Sequence, residues 1–288
     1  MKNAFRTPLV RWYRAHARDL PWRHPDTTPW QSLVSEIMLG QTPVVRVAPV
    51  YSEWIQRWPT AADTANATPA QILRLWGRLG YPRRALRLRE AAVAIERDHQ
   101  GQVPNTEGEL RALPGVGEYT AAAVLAFAYG QRIAVLDTNV RRVIARAVSG
   151  TAAAPATLNN AERDLARSLL PRSHAAAAEW SIAIMEFGAL ICTARNPDCT
   201  HCPISTQCAW RAAGYPEPTH VSARRQAWAG TDRQCRGTVM AALRHSNKPV
   251  GRTDLTWHDA AQLERCLDSL LDDGLIDLTS EGRFELPN

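Results

Sequence analysis

Four cysteines, Cys192, Cys199, Cys202 and Cys208, fall within seventeen residues as C-x6-C-x2-C-x5-C in ICTARNPDCTHCPISTQC. Thiols gathered in one loop read as metal or iron–sulfur ligands where no secretory signal favours disulfides. Zinc also accepts four cysteines, usually from two short knuckles. Here one C-x2-C knuckle is flanked by gaps of six and five residues. That spacing suits a loop wrapped around a larger, cuboidal [4Fe–4S] body better than a single ion. Cys235 and Cys266 lie on apolar, helix-like faces and read as core residues.

Two carboxylates stand in unusual settings. Asp137 follows the apolar run Ile133–Leu136 and opens the helical stretch DTNVRRV. Helix amides close to a partly desolvated carboxylate favour its ionised form, which suits a group that meets a developing cation. The same position suits an N-capping aspartate, and the two roles are compatible. Glu36 sits in WQSLVSEIMLG among Leu33, Val34, Ile37, Met38 and Leu39. A carboxyl enclosed by such groups has a raised pKa and can donate a proton near neutrality. From these residues alone, an exposed position on the helix is the favoured reading. Twenty residues before Asp137, LPGVG (113–117) joins two helical stretches. Its two glycines let bare backbone amides converge at a helix start, a ready phosphate site, although a plain αα turn has the same look.

The elements that must position these groups are helices. Apolar spacing predicts helices over 5–18, 31–39, 44–58, 70–79 and an arginine-rich one ending near Arg97. Others follow the LPGVG turn and Asp137, then run near 160–170 and 179–190. Strand patterning is absent until the last dozen residues, so the body is all-α. Residues 216–232 are rich in proline and small polar residues and read as a linker. Beyond it, a helix over 233–244, a short second one that can start at 255–257 and a third over 260–272 precede two β-like runs about a Ser-Glu-Gly turn, a winged-helix-like pattern.

Charge narrows the classes of partner. The 288 residues carry 34 basic and 28 acidic side chains, a net of +6. Residues 221–288 hold nine basic and ten acidic groups, so the excess lies in the first 220. A positive body suits an anionic partner such as nucleic acid. The tail's balance argues for a packing role as strongly as for DNA contact. Lysine occurs only at Lys2 and Lys248, so amine catalysis has almost no candidates. No run of eighteen apolar residues and no secretory h-region occur, so neither a membrane span nor export is expected, and the location is cytoplasmic.

VSEIMLGQT, LGYPRRA, LPGVGEYTA, LDTNVRRV and the cysteine spacing, in that order over about residues 5–212, resemble the helix–hairpin–helix DNA glycosylases. Within these they are most similar to the adenine DNA glycosylase (MutY) family. WAGTDRQCRG and the compact tail resemble actinobacterial members. The resemblance implies two helical lobes. Residues 24–130 would form a six-helix barrel with the hairpin, and 1–23 with 131–215 a [4Fe–4S] cluster lobe. The linker 216–232 and the winged-helix-like domain 233–288 follow.

The resemblance also implies a function and its residues. The partner is double-stranded DNA bearing a mismatch or an oxidised base, bound by a monomer associated with the nucleoid. Adenine mispaired with 8-oxoguanine or guanine is flipped out and removed. Glu36 is the implied acid at adenine N7, Asp137 the carboxylate facing the oxocarbenium-like sugar, and Asn139 and Tyr119 their positioning partners. Trp22, Arg23 and Ile182 match the base pocket. Gln41, Thr42 and Tyr81 match residues inserted into the duplex, and Pro114, Gly115, Val116 and Gly117 a phosphate cradle. Bifunctional relatives carry a lysine where this chain has Tyr119, so an enzyme without lysine-dependent strand cleavage is implied. Three departures stand out: Gly40 where glutamine is usual, Ile182 where a polar residue is frequent, and a short helical tail in place of a Nudix-like domain. The rival readings are a sibling glycosylase of other base specificity and a non-catalytic DNA-binding iron–sulfur protein.

Overall fold

Capping residues set several helix starts. Thr60, Thr68 and Asn159 each accept a bond from the amide three residues on, and Asp63, Gln71 and Glu162 return it. The computed structural model describes residues 4–218 and 228–288; Lys2 and most of the expected linker lie outside the described residues. In chain order the helices are α1 (Arg6–His16), α2 (Pro29–Leu39), α3 (Val44–Arg57), α4 (Ala61–Asn66), α5 (Pro69–Trp76), α6 (Arg83–His99) and α7 (Glu107–Ala112). Then come α8 (Glu118–Phe127), α9 (Thr138–Ile144), α10 (Asn160–Leu169), α11 (His174–Leu190), α12 (Ala209–Ala212), α13 (Asp232–His245) and α14 (Ala260–Asp272). A hairpin of β1 (Asp277–Leu278) and β2 (Phe284–Glu285) ends the chain. The body is therefore all-α, and no helix among the described residues is long and apolar enough to cross a membrane.

Contacts divide the chain into two units. The first holds the described residues up to Ser32, Asn105–Arg111, and Val116 to 218. Its core gathers Leu9 of α1, Val143 and Ile144 of α9, and Trp180, Ile184 and Phe187 of α11, all buried. Trp12 meets the Phe187 ring edge-on at 5.5 Å, which fixes α1 against α11. The second unit holds Leu33–Pro104, Ala112–Gly115 and 228–288. Its core includes Trp54, with Trp58 and Trp76 edge-on at 4.8 and 6.2 Å. Boundaries at 23/24 and 130/131 were the sequence expectation; the contacts change over at 32/33 and inside the hairpin. The reason is that α8 packs on α11 and so goes with the first unit.

The tail is winged-helix-like: α13, a 3-10 turn (Arg252–Asp254), α14, and the hairpin with Val250 bridged to Phe284. The expected helix at 255–257 is a correction. The turn forms three residues earlier because the Asp254 carboxylate accepts from the Gly251 amide at 3.0 Å. Cys235 and Cys266 are buried in this domain, as their patterning predicts. The domain joins the second unit through α13 on α5, Arg83 with Asp273 at 3.1 Å, and Arg74 donating to the Ser246 carbonyl at 3.2 Å.

Candidate active site and cysteine loop

Asp137 is the N-cap of α9, as expected. Its Oδ1 accepts from the Val140 amide at 2.6 Å, and its Oδ2 from Asn139 Nδ2 at 2.7 Å. The helix amides favour its ionised form, as the sequence predicts, but the balance runs the other way. Burial raises the Asp137 carboxyl above its ordinary value, while Val140, Asn139 and the more distant Arg142 charge pull it down less. Ionising Asp137 is therefore costly in this buried setting, and a positive charge beside it would relieve that cost. That is the condition for attracting a cation that forms beside it.

A guanidinium the sequence reading missed extends this arrangement. Arg142 Nη2 donates to Asn139 Oδ1 at 2.7 Å and to the Gly188 carbonyl at 2.6 Å. Its Nε donates to the Cys192 carbonyl at 2.7 Å. A continuous path therefore runs from Asp137 through Asn139 and Arg142 to the first cysteine of the loop. One turn on, Arg146 donates to the Thr193 carbonyl at 2.7 Å and reaches Cys192 Sγ at 3.6 Å. Its guanidinium also covers the Trp210 ring at 4.6 Å. The RRVIAR spacing was the available signal, since arginines four apart share one helix face.

Gly188 lets α11 and α9 come together here. A Cβ at Gly188 would lie 2.8 Å from Asn139 Cβ and 2.9 Å from its carbonyl oxygen. Gly188→Ala is expected to cost about 2 kcal/mol by overpacking. It should also slow base release by displacing Asn139; a thermal melt beside a single-turnover assay checks both.

Of the residues expected at a base pocket, Arg23 meets a buried carboxylate in the same unit. Glu186 of α11 is fully buried and receives Arg18 through Nε and Nη2, both at 2.7 Å, and Arg23 Nη2 at 2.9 Å. Burial alone would push its carboxyl up; the bonds from Arg18 and Arg23 outweigh that and hold it at about 2. Arg23 Nη1 is buried with no hydrogen-bond partner in the structure, a donor left for an acceptor. Trp22 adjoins it in a 3-10 turn (Pro21–Arg23), and Ile182 is half-buried one turn before Glu186. Tyr119, half-buried on α8, lines a cavity of about 290 Å³ with Ile133, Ala134 and Leu136.

In the second unit Glu36 is 7 % exposed, which corrects the exposed placement favoured from the residues alone. Helix α2 is buried around its whole circumference, Ser32 and Ser35 included, so no face was left for solvent. Gln41 and Tyr81 both adopt left-handed backbone, with φ of 58° and 49°. That is uncommon for any residue with a Cβ and a strained choice for a tyrosine. Tyr81 is exposed, whereas Thr42 is buried and donates to the Leu79 carbonyl at 3.1 Å. Arg84 ties the two loops: Nη1 donates to the Ile37 carbonyl at 2.8 Å and to the Gly40 carbonyl, and Nη2 to Thr42 Oγ1 at 2.9 Å. In the hairpin Gly115 has φ +79°, and a Cβ there would lie 2.9 Å from Arg87 Cβ. Pro114 is half-buried, Val116 is buried, and Gly117 caps α8 with no side-chain bond to its first amides.

The four loop thiols are unpaired and partly buried. Cys202 lies within electrostatic reach of Cys192, Cys199 and Cys208. Yet among the described residues no three of Cys, His, Asp and Glu gather where one ion could sit. A cuboidal cluster takes one thiolate at each of four irons, so its ligands stand farther apart than those of a single ion. The donor set fits such a cluster, with the Arg146 cation beside Cys192 to offset its negative charge.

Residues 34–167 match the HhH-GPD superfamily of base excision DNA repair proteins. The chain is 53 % identical over 281 residues to the adenine DNA glycosylase of Mycolicibacterium smegmatis, covering 96 % of this chain and 94 % of that one. It belongs to the adenine DNA glycosylase family. The human adenine DNA glycosylase is 39 % identical over 215 residues, 72 % of this chain and 39 % of its own length. A solved thermostable thymine-DNA glycosylase superposes with a TM-score of 0.67 at 30 % identity, covering 74 % of this chain and 97 % of that one. The M. smegmatis member shares almost the whole chain, tail included, so the compact C-terminal domain is part of what this member has in common with it.

Proposed function

We propose that this family member releases adenine mispaired with 8-oxoguanine or guanine in duplex DNA and leaves the abasic strand uncut. The observation that carries the reading is Asp137, a buried carboxyl held at a helix head by the Val140 amide and Asn139 Nδ2. Adenine must leave the stack before its glycosidic bond is reachable. Trp22, Arg23 and Ile182 receive it, the unpartnered Arg23 nitrogen supplying a donor for a base acceptor. Glu36 donates a proton to adenine N7, the C1′–N9 bond breaks, and the base departs neutral. Asp137 stabilises the positive sugar until water adds at C1′ and releases its proton to solvent, the division of labour of two-carboxylate glycoside hydrolysis. Asn139 and Tyr119 position these groups. Gln41 and Tyr81 enter the duplex from strained loops that Thr42 and Arg84 brace, and the amides after Pro114, Gly115, Val116 and Gly117 hold a phosphate.

Cys192, Cys199, Cys202 and Cys208 would hold a [4Fe–4S] cluster, which would crosslink the loop through its thiolates. Arg142, bonded to the Cys192 carbonyl and to Asn139 Oδ1, carries that order to Asn139, while Arg146 braces the start of the loop. Lysine-dependent strand cleavage has no candidate at the hairpin, where Tyr119 stands. Duplexes carrying adenine opposite 8-oxoguanine, guanine and cytosine, and thymine or uracil opposite guanine, test the reading. Adenine release with strand breaks only after alkali is expected. Faster thymine release, or a borohydride-trapped protein–DNA adduct, would sink it.

A further inference from the structure

The C-terminal domain places an arginine against the residue proposed to enter the duplex. Arg233, in the first turn of α13, lies 5.3 Å from the centre of the Tyr81 ring and 5.2 Å from that of Trp228. Arg84 lies over Tyr81 as well, at 5.4 Å. These groups all belong to the second unit. Tyr81 is 46 % and Trp228 53 % exposed, and Arg233 is exposed too, so the stack forms a surface. No carboxylate among the described residues pairs with Arg233. A cation in the first turn of a helix is disfavoured by the helix dipole, so helix stability does not explain it.

The mounting is rigid. Thr231 caps α13 through the Gln234 amide and donates its hydroxyl to the Trp228 carbonyl at 2.8 Å. Buried Gln262 donates to the Gly230 carbonyl at 2.9 Å and to Asp232 Oδ1 at 2.8 Å. Arg236 and Arg83 both bind Asp273 and lock the domain to α6. The usual reading helix of a winged helix is meanwhile unsuited to DNA here. Helix α14 carries Glu264, paired with Arg252, and Asp268 and Asp272, against a single cation, Arg265, which is already paired with Asp232. Phosphates would repel that helix.

We propose that this winged-helix-like domain contacts duplex DNA through Arg233 and the Trp228 that precedes it, and not through α14 or its hairpin. Arg233 meets the backbone beside the step that Tyr81 opens, and its stack with Trp228 holds Tyr81 ready to insert. The inference rests on the duplex-DNA reading above.

The test uses the full chain, with circular dichroism and melting to confirm folding of Arg233→Ala, Trp228→Ala and Arg283→Ala, the last on the hairpin. Binding to an uncleavable duplex with a 2′-fluoro-adenosine opposite 8-oxoguanine is titrated across salt concentrations. Arg233→Ala is expected to weaken binding about tenfold and to lower the slope of log affinity on log salt by about one. Trp228→Ala should weaken binding without changing the slope, and Arg283→Ala should match the parent. Affinity and slope within twofold of the parent for Arg233→Ala, or a slope loss found in Arg283→Ala instead, would overturn the proposal. Because binding is read without catalysis, a parent that binds duplex yet releases no adenine would defeat the functional reading and leave this one standing.

Discussion

Asp137→Asn is expected to lower single-turnover adenine release by about a thousandfold or more, the usual scale for removing a preorganised charge from a glycosidic transition state. That corresponds to about 4 kcal/mol of barrier. The variant separates chemistry from architecture. Asparagine still caps a helix, and its carbonyl oxygen can accept from Val140 or from Asn139, so the local backbone should survive. Stability should move in the other direction. Burial raises the Asp137 carboxyl in the folded protein. The folded state therefore holds its proton to higher pH than the unfolded chain does. Between the unfolded and the raised folded value, stability falls as pH rises, and above both the cost is fully present. The Asp137→Asn substitution removes that cost, so at pH 7 the variant should melt no lower than the parent and its melting point should depend less on pH. A lower melting point together with lost activity would mean that Asp137 serves chiefly as a structural cap. An unchanged rate would remove it from the mechanism.

How much of this was legible in the sequence follows from the range of each interaction. Asp137 could be read because its signals are local: an apolar run, then a capping residue, then a helix. The LPGVG turn could be read for the same reason, since the positive φ at Gly115 is a demand of two or three residues. Glu36 could not be placed, because an apolar helix with one acid looks the same whether the acid faces water or the interior. Only the packing of the other helices around α2 decides that. Glu186 left no signal, since its partners Arg18 and Arg23 lie 168 and 163 residues away and obey no periodicity. The winged-helix order was readable from turn chemistry, whereas its docking through Arg83, Asp273 and Arg236 depends on pairs far apart in sequence. The same limit hid Arg233. A basic residue near a helix start suggests solvent, and only the fold brings Tyr81 to its other side.

Glu186→Ala should be the most damaging single change to stability among the charged residues, at about 3 kcal/mol. Its carboxylate is 1 % exposed, and removing it leaves Arg18 and Arg23, 34 % and 18 % exposed, without their shared counter-ion. Arg18 has room to recover water; Arg23 has less, and its Nη1 is already without a partner. The damage should therefore centre on the proposed base pocket and weaken both folding and adenine binding. The pH dependence gives a separate check. With a folded value of about 2, well below the ordinary carboxylate range, Glu186 contributes stability that is complete above the unfolded value. That contribution drains away as pH falls from roughly 5 towards 2. Glu186→Gln keeps the shape and removes the charge, so its stability should fall less steeply across that window than the parent's. Urea titrations at pH 7, 4.5 and 3 would show the gap between parent and Glu186→Gln closing as the acid is approached. A constant gap would mean that the Glu186 side chain stabilises the fold by packing alone and that Arg23 is held by something else.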